Sequence, residues 1–143
     1  MRIYEIPGTP IAWRRAGRKG SRYYDAQAKQ KETVQKVVRV ALSGLFPHKE
    51  PIKVDMHFGM PIPKSWSTKK RIAAIGKPHS SRPDVDNLIK FVSDALNEIL
   101  WDDDAIIYQV RGTKTYTTNP KTLIFVMKCD DEDELVPLSA NYE

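Results

Sequence analysis

The sequence predicts an α+β fold: a single compact domain with a mixed sheet of about four strands and two principal helices. Residues 85–100 place apolar side chains three and four positions apart, which is typical of an amphipathic helix. Residues 52–58 alternate apolar and polar side chains, which indicates a strand with one buried face. With 41% hydrophobic residues, a chain of 143 residues is long enough to bury one core.

The other elements follow from turn residues and shorter patterns. In chain order they are a strand over residues 2–6, a loop over 11–24, a helix from about Asp25 to Leu42, a short helix over 68–75, and two strands over 105–116 and 121–128 joined as a hairpin. Asp25 is the predicted N-cap of the first principal helix, and Gly44 ends it. Pro83 and Asp84 signal the start of the second helix, which we expect to run to Leu100.

Charge is distributed unevenly along the chain. Residues 1–129 hold all 23 basic residues and 12 of the 18 acidic residues, a net charge of +11, whereas residues 130–143 hold only acidic charge. We therefore expect a basic domain over residues 1–129 and an acidic tail over 130–143. A positive field of this size attracts polyanions and favours a nucleic acid as partner.

Two segments concentrate the basic residues. The basic loop, residues 11–24, carries five cations flanked by Trp13, Tyr23 and Tyr24, which suits phosphate contacts and stacking on an opened base. The second basic tract, residues 69–82, leads directly to Asp84. The predicted DNA-binding residues are Arg14, Arg15, Arg18, Lys19, Arg22, Lys77 and Arg82, with Lys69, Lys70, Arg71 and His79 in the same tract.

Acidic residues bracket the second helix. The first acidic cluster, Asp84 and Asp86, precedes it, and the second acidic cluster, residues 102–104, follows it. Three adjacent carboxylates at the negative end of a helix repel one another, and no basic residue lies within six positions of them. A divalent cation would relieve this repulsion, and oxygen ligands without a Cys–His cluster favour Mg²⁺ or Mn²⁺. Bound Mg²⁺ in a basic protein suits phosphodiester hydrolysis.

Simpler interpretations of the same residues stay open at this point. Asp84 could serve only as an N-cap, and Asp86 only as a favourable charge at the positive end of the helix. Lys90 could form ordinary i,i+4 ion pairs with Asp86 and Asp94.

An ordered set of motifs resembles the RusA family of Holliday junction resolvases. The matching residues are Pro83-Asp84-x-Asp86-Asn87-Leu88-x-Lys90, then Asp94-Ala95-Leu96-Asn97, then Trp101 with Asp103-Asp104. The resemblance is densest over residues 82–106 and extends more weakly over about 1–128.

The resemblance implies catalytic, metal-binding carboxylates at Asp84, Asp86 and Asp104, a supporting acid at Asp103 and an essential lysine at Lys90. It also implies a homodimer that cuts four-way DNA junctions by paired incisions with Mg²⁺ or Mn²⁺. The implied enzyme is a Holliday junction resolvase, a metal-dependent endodeoxyribonuclease acting in recombination and repair.

Helix geometry separates the two acidic clusters. A straight helix from Asp84 to Leu100 is about 24 Å long at 1.5 Å per residue, too long for one metal ion to reach both ends. Either the ordered helix begins after Asp86, or a two-fold axis brings the first cluster of one chain to the second cluster of another. We favour the second arrangement, because antiparallel helices across a dyad place unlike ends together.

Other functional classes fit less well. A non-catalytic DNA-binding protein and a metal-dependent phosphatase acting on a small substrate are the rival hypotheses. No Gly-rich phosphate loop is present, so no nucleotide cofactor is expected. No apolar run is long enough to span a bilayer, and Cys129 is the single cysteine. We therefore expect a cytoplasmic protein with no membrane partner.

Overall fold

The computed structural model describes residues 1–129. This part of the chain contains six strands, three helices and one 3₁₀ turn. In order, they are β1 (Arg2–Pro7), β2 (Gly17–Lys19), β3 (Arg22–Tyr24), α1 (Ala28–Leu42), β4 (Ile52–Pro61), α2 (Thr68–Ala74), α3 (Val85–Ala95), the 3₁₀ turn (Asp104–Ile106), β5 (Ile107–Thr117) and β6 (Lys121–Lys128). The predicted acidic tail, residues 130–143, lies outside the described residues.

Four strands form a mixed sheet in the order β1-β6-β4-β5. β6 pairs antiparallel with both β1 and β4, whereas β4 pairs parallel with β5. The predicted α+β class, the four-stranded mixed sheet and the two principal helices are confirmed. The short helix predicted over 68–75 is also present as α2, and the Ser67 side chain caps it by accepting a hydrogen bond from the Lys70 N–H at 3.2 Å.

The predicted hairpin of the last two strands is wrong. β5 and β6 follow each other in the chain, but β4 lies between them in the sheet. A Cβ atom on Gly59 of β4 would lie 2.7 Å from Thr117 Cγ2 and 3.2 Å from the Lys121 carbonyl oxygen. The connection from β5 to β6 therefore passes close to β4, and a larger side chain at position 59 would obstruct it.

β4 is buried on both faces, so the expectation of one exposed face was also wrong. Asp55 is fully buried and His57 is 8% exposed, although the alternating pattern assigned both to a solvent-facing side. Arg111 on β5 donates two hydrogen bonds to Asp55 Oδ2, one of them from Nε at 3.2 Å. The other carboxylate oxygen, Asp55 Oδ1, lies 3.3 Å from His57 Nε2. A polar residue can occupy a buried strand when its charge is paired across the sheet.

The principal helices pack together on one face of the sheet. The buried residues of α1 and α3 join those of the strands in one core, which includes Val34, Val38, Leu88, Phe91, Val92, Val54, Met56, Phe58, Ile124 and Val126. α3 approaches β5 closely at Gly112, where an added Cβ would lie 2.6 Å from Ile89 Cδ1 and 3.0 Å from Val85 Cγ2. This contact fixes the first half of α3 on the sheet.

α3 ends at Ala95, five residues before the predicted end. The Glu98 backbone adopts a left-handed conformation, φ 67°, and its N–H donates to the Trp101 carbonyl at 2.7 Å. Ile99, Leu100 and Trp101 are buried in this turn, so they continue the apolar spacing without continuing the helix. The turn directs the second acidic cluster back toward the end of α3.

The predicted loop 11–24 contains a small hairpin, and α1 begins later than expected. β2 and β3 pair antiparallel through the two-residue turn Gly20–Ser21. The N-cap of α1 is Gln27 rather than Asp25. Asp25 instead accepts a hydrogen bond from the Gln27 N–H at 2.9 Å, just before the helix.

None of the helices within residues 1–129 combines the length and the apolar character needed to cross a membrane.

Candidate active site

The first acidic cluster lies at the N-terminus of α3. Asp84 occupies the N-cap position, but its side chain makes no capping hydrogen bond. Asp86 lies in the first turn and accepts a hydrogen bond from the Asn87 N–H at 3.0 Å. Both side chains are exposed. The Asp84 carboxylate is therefore not used to cap the helix and is available to bind a ligand.

A lysine of β5 fixes the segment that leads into Asp84. Lys114 Nζ donates to the carbonyl oxygens of Ser81 and Pro83, both at 2.7 Å. Charge-assisted hydrogen bonds of this length are among the stronger polar contacts in proteins. The first acidic cluster is consequently held relative to the sheet by Lys114 as well as by α3.

The second acidic cluster folds back on the opposite end of α3. The Asp104 N–H donates to Asn97 Oδ1 at 2.9 Å, and Asp103 Oδ1 accepts from the Ala105 N–H at 2.9 Å. Partial burial raises the pKa of Asp104, and a hydrogen bond with Asp103 together with the charges of Asp103 and Asp94 raises it further. Asp94 thus lies close enough to add to the negative charge, and the group concentrates charge that a cation would neutralise.

The two acidic clusters do not meet within one chain. The 11 residues of α3 span about 16 Å at 1.5 Å per residue, with Asp84 at one end and Asp94 at the other. In the described part of the chain, no three His, Cys, Asp or Glu side chains are grouped so that they could hold a metal ion. The chain therefore offers two separate sets of oxygen ligands.

Lys90 lies between the two clusters on α3 and contacts an aromatic ring. Its Nζ is 3.6 Å from the ring centroid of Trp13, a cation–π contact. Within residues 1–129, no ion pair joins Lys90 to Asp86 or Asp94, so the interpretation of ordinary i,i+4 pairing is wrong. Lys90 is exposed, which leaves its charge accessible to an anionic ligand.

A buried glutamine holds Trp13 in this position. Gln27, 2% exposed, donates from Nε2 to the Ala12 carbonyl at 2.8 Å and accepts at Oε1 from the Arg14 N–H at 2.8 Å. The backbone N–H of Trp13 donates to the backbone carbonyl of Asn87 on α3 at 2.9 Å. We call the two hydrogen bonds of the Gln27 side chain to residues 12 and 14 the Gln27 clamp. They fix both sides of Trp13 and so place its ring over Lys90.

Comparison with known proteins identifies the family. The model of a family described as "Endodeoxyribonuclease RusA" matches residues 7–127, which is most of the chain. The chain belongs to the RusA endodeoxyribonuclease family. It is also 35% identical over 81 residues to "Uncharacterized protein YqaN" of Bacillus subtilis (strain 168), a match that covers 53% of this chain and 56% of that protein. The chain thus spans about half the length of this relative.

The basic residues of this RusA-family chain lie at exposed positions in two segments, the basic loop and the second basic tract. The exposed predicted DNA-binding residues are Arg14, Arg15, Arg18, Lys19, Arg22, Lys69, Lys70, Arg71, Lys77 and Arg82. Two of them contact aromatic rings: Arg18 lies 5.6 Å from the Tyr23 centroid and Lys70 Nζ lies 4.1 Å from that of Trp66. His79, in the same tract, is not exposed: it is half-buried and packs against Tyr116. Burial lowers its pKa, and the positive charge of Lys114 adds a smaller effect in the same direction.

The sequence interpretation missed Gln27, Lys114 and the closeness of Asp94 to the second acidic cluster. Gln27 carried one usable signal, because it lies seven and eleven positions before Val34 and Val38 and so shares their buried face. A polar residue on a buried stripe implies a hydrogen-bonding role. Lys114 carried no such signal, since its partners lie more than thirty residues away.

Proposed function

We propose that this protein is a metal-dependent endonuclease that hydrolyses phosphodiester bonds in branched DNA, chiefly four-way junctions, by paired incisions. The observation that carries the proposal is the arrangement of oxygen ligands at both ends of α3 with Lys90 between them, in a chain of the RusA endodeoxyribonuclease family. The +11 charge of residues 1–129 supports an extended polyanion as substrate over a small phosphate ester.

The residues that would hold the metal are Asp84, Asp86 and Asp104, with Asp103 in support. Their ligands are all carboxylate oxygens, which suit Mg²⁺ or Mn²⁺. The raised pKa of Asp104 fits this role, because a carboxylate crowded by like charges gains most from a cation. When bound, a divalent cation supplies Lewis acidity toward the phosphoryl oxygen and makes a nearby water more acidic.

Lys90 has a separate role in this proposal. Its ammonium group holds positive charge where the phosphate becomes most negative during attack. The cation–π contact with Trp13 restricts the lysine on one side without neutralising it, since an aromatic ring carries no net charge. The Gln27 clamp would therefore keep Lys90 oriented toward the substrate phosphate.

A homodimer would complete the site. The first acidic cluster lies about the length of α3 away from Asp104 in the same chain, which is too far for one metal ion to reach both. Two chains related by a two-fold axis would bring the first cluster of one to the second cluster of the other. Each dimer would then contain two equivalent sites, as paired incision requires.

DNA would approach along the basic surfaces. The second basic tract ends at Arg82, two residues before Asp84, and the basic loop adjoins Lys90 through Trp13. Arginine and lysine side chains at such exposed positions contact phosphates and give affinity without sequence preference. The two segments would thus hold the backbone on either side of the acidic clusters.

Cleavage of a synthetic four-way junction tests the proposal. With Mg²⁺ the wild-type protein should cut symmetric strands of the junction, spare a linear duplex of the same sequence, and stop in EDTA. Asp84→Asn, Asp86→Asn and Asp104→Asn should each lower the rate at least about a hundredfold, because each removes a charged ligand. Glu98→Gln is the matched control, because Glu98 is an exposed acid in the turn between α3 and the second acidic cluster and lies outside the proposed ligand set.

The rival functions give different results in the same experiment. A non-catalytic DNA-binding protein would bind the junction without cutting it, and Mg²⁺ or Mn²⁺ would leave its melting temperature unchanged. A phosphatase would hydrolyse a small phosphate ester, and junction DNA would not compete with that reaction.

A further inference from the structure

A pocket lies between the β2–β3 hairpin and the start of α1. Its volume is about 310 Å³, and it opens to solvent. We name it the hairpin pocket; its lining includes Trp13, Arg14, Tyr23, Tyr24, Asp25 and Lys31. Three aromatic side chains, two cations and one carboxylate therefore surround one concave surface.

The aromatic walls of the hairpin pocket are exposed but constrained. Tyr23 and Tyr24 are 71% and 54% exposed. A Cβ atom on Gly17 would lie 2.2 Å from Tyr24 Cζ, so the tyrosine ring rests directly against the glycine of the paired strand. Arg18 lies over the Tyr23 ring. Exposed rings held by their neighbours can accept a flat ligand without losing much side-chain freedom.

The polar groups of the hairpin pocket leave hydrogen-bonding capacity. Asp25 Oδ1 accepts from the Gln27 N–H at 2.9 Å, and Oδ2 accepts from Lys31 Nζ at 2.8 Å. A carboxylate has about four acceptor sites, so each oxygen can take a further donor. Arg14 also lines the pocket, and an arginine side chain carries hydrogen-bond donors only. A planar ligand with both donor and acceptor groups matches this set.

The position of the hairpin pocket relates it to the candidate active site. Trp13 lines the pocket and also contacts Lys90 Nζ at 3.6 Å. One indole ring therefore separates the pocket from the lysine that the proposed function assigns to the substrate phosphate. A nucleotide whose phosphate contacts Lys90 would have its own or a neighbouring base within reach of the pocket.

We propose that the hairpin pocket binds an unstacked nucleobase of the DNA strand that is cut. Aromatic side chains stack on bases of any kind, and opened bases are available at a branch point. Asp25 would favour bases with an exocyclic amino group over thymine, because a carboxylate accepts from such a group. This inference rests on the proposed function for the identity of the substrate.

Binding measured in EDTA separates the hairpin pocket from the chemistry. Junctions that carry a single abasic site at successive positions around the branch point are titrated with wild-type protein and with Tyr24→Leu. At one position, loss of the base should weaken wild-type binding about tenfold, the effect expected for one stacked base. Tyr24→Leu should weaken binding of the intact junction by a similar factor and show almost no further loss on the abasic junction.

The controls use variants distant from the pocket and a second pocket variant. Phe46→Leu changes an 86% exposed aromatic residue beyond the C-terminal end of α1 and should retain the full abasic effect. Tyr23→Leu repeats the test if Tyr24→Leu melts at a much lower temperature than wild type. If the abasic site weakens binding by the same factor in wild type and in the tyrosine variant at every position tested, the two losses are independent and the proposal is overturned.

The preference of the pocket is tested at the position so identified. When thymine replaces an amino-bearing base at this position, the affinity of the wild-type protein should fall several-fold. The affinity of Asp25→Asn should be the same for both bases. Equal thymine penalties in both proteins would refute the role of Asp25. Failure of the wild-type protein to cut the intact junction with Mg²⁺ would refute the proposed function, and the binding result in EDTA would still decide whether a base enters the pocket.

Discussion

Replacing Gln27 by methionine should both destabilise the protein and slow cleavage. Methionine keeps most of the side-chain volume, so the change removes the two hydrogen bonds of the clamp, and a longer one of 3.3 Å from Gln27 Nε2 to Gln30 Oε1, without leaving a large cavity. Both bonds of the clamp are 2.8 Å long and the glutamine is 2% exposed. At about 1 kcal/mol each, their loss should lower the free energy of unfolding by about 2 kcal/mol. For a chain of this size the melting temperature should fall by roughly 8 °C.

The same change should reduce the rate at saturating junction. Without the Gln27 clamp, Trp13 no longer stays over Lys90, and an exposed cation–π contact is worth about 0.5–1 kcal/mol. The corresponding rate loss is about two- to fivefold. Urea unfolding gives the free energy, and single-turnover cleavage of a four-way junction with Mg²⁺ gives the rate.

Gln35→Met is the matched control for this prediction. Gln35 also lies on α1, but its side chain makes one hydrogen bond, to the Ala95 carbonyl at 3.0 Å, and none to residues 12–14. It should cost about 1 kcal/mol of stability and leave the saturated rate unchanged. A stability loss for Gln27→Met with an unchanged rate would refute the idea that the clamp positions Lys90. A stability loss below about 0.5 kcal/mol would refute the importance of its two hydrogen bonds.

Four further predictions concern charge. Arg111→Met should lower the free energy of unfolding by about 3 kcal/mol, because it removes a partner of the fully buried Asp55. Burial raises the pKa of Asp55, but the neighbouring His57 and Arg111 side chains outweigh this effect and lower the pKa. The stability that Asp55 contributes is therefore present above the ordinary carboxyl pKa and is lost as pH falls through the pKa of the folded state. Urea unfolding at several pH values should show less acid sensitivity in Asp55→Asn than in wild type, and identical acid dependence would contradict this. The pKa of Asp104 is raised, so this residue has the opposite effect: its ionisation disfavours the folded state as pH rises through that pKa. Asp104→Asn should therefore melt at a higher temperature than wild type in EDTA at pH 7. A lower melting temperature would refute the argument from charge repulsion. Replacing Arg14 and Arg15 by alanine should weaken junction binding and reduce the slope of log K against log salt by about 2, whereas an unchanged slope would remove the basic loop from the interface.

The sequence predicted the parts of the fold that depend on local pattern. The apolar spacing of α3 and the turn residues after β1 are short-range signals, and the structure confirms those elements. The position of β4 between β5 and β6 has no such signal. It depends on how strands distant in the chain pair, and on Gly59, whose lack of a side chain matters only once Thr117 and Lys121 lie beside it.

The candidate site shows the same division. The spacing of Asp84, Asp86 and Lys90 along one helix follows from the sequence, as does the separation of the first acidic cluster from Asp104. The Gln27 clamp joins Gln27 to residues 13 and 15 positions away, and the cation–π contact joins Trp13 of the basic loop to Lys90 of α3. Neither could be predicted, because both depend on the packing of the basic loop against α1 and α3.

A heterodimer of two inactive chains tests the arrangement of the site most directly. One chain carries Asp84→Asn, the other Asp104→Asn, and each has a different affinity tag so that only the mixed dimer is purified. If each site combines the first acidic cluster of one chain with Asp104 of the other, one of the two sites keeps all of its ligands. The mixed dimer should then make incisions at about half the wild-type rate and leave nicked rather than resolved junctions. No incision by the mixed dimer, or no mixed dimer on co-expression, would contradict a site shared between two chains.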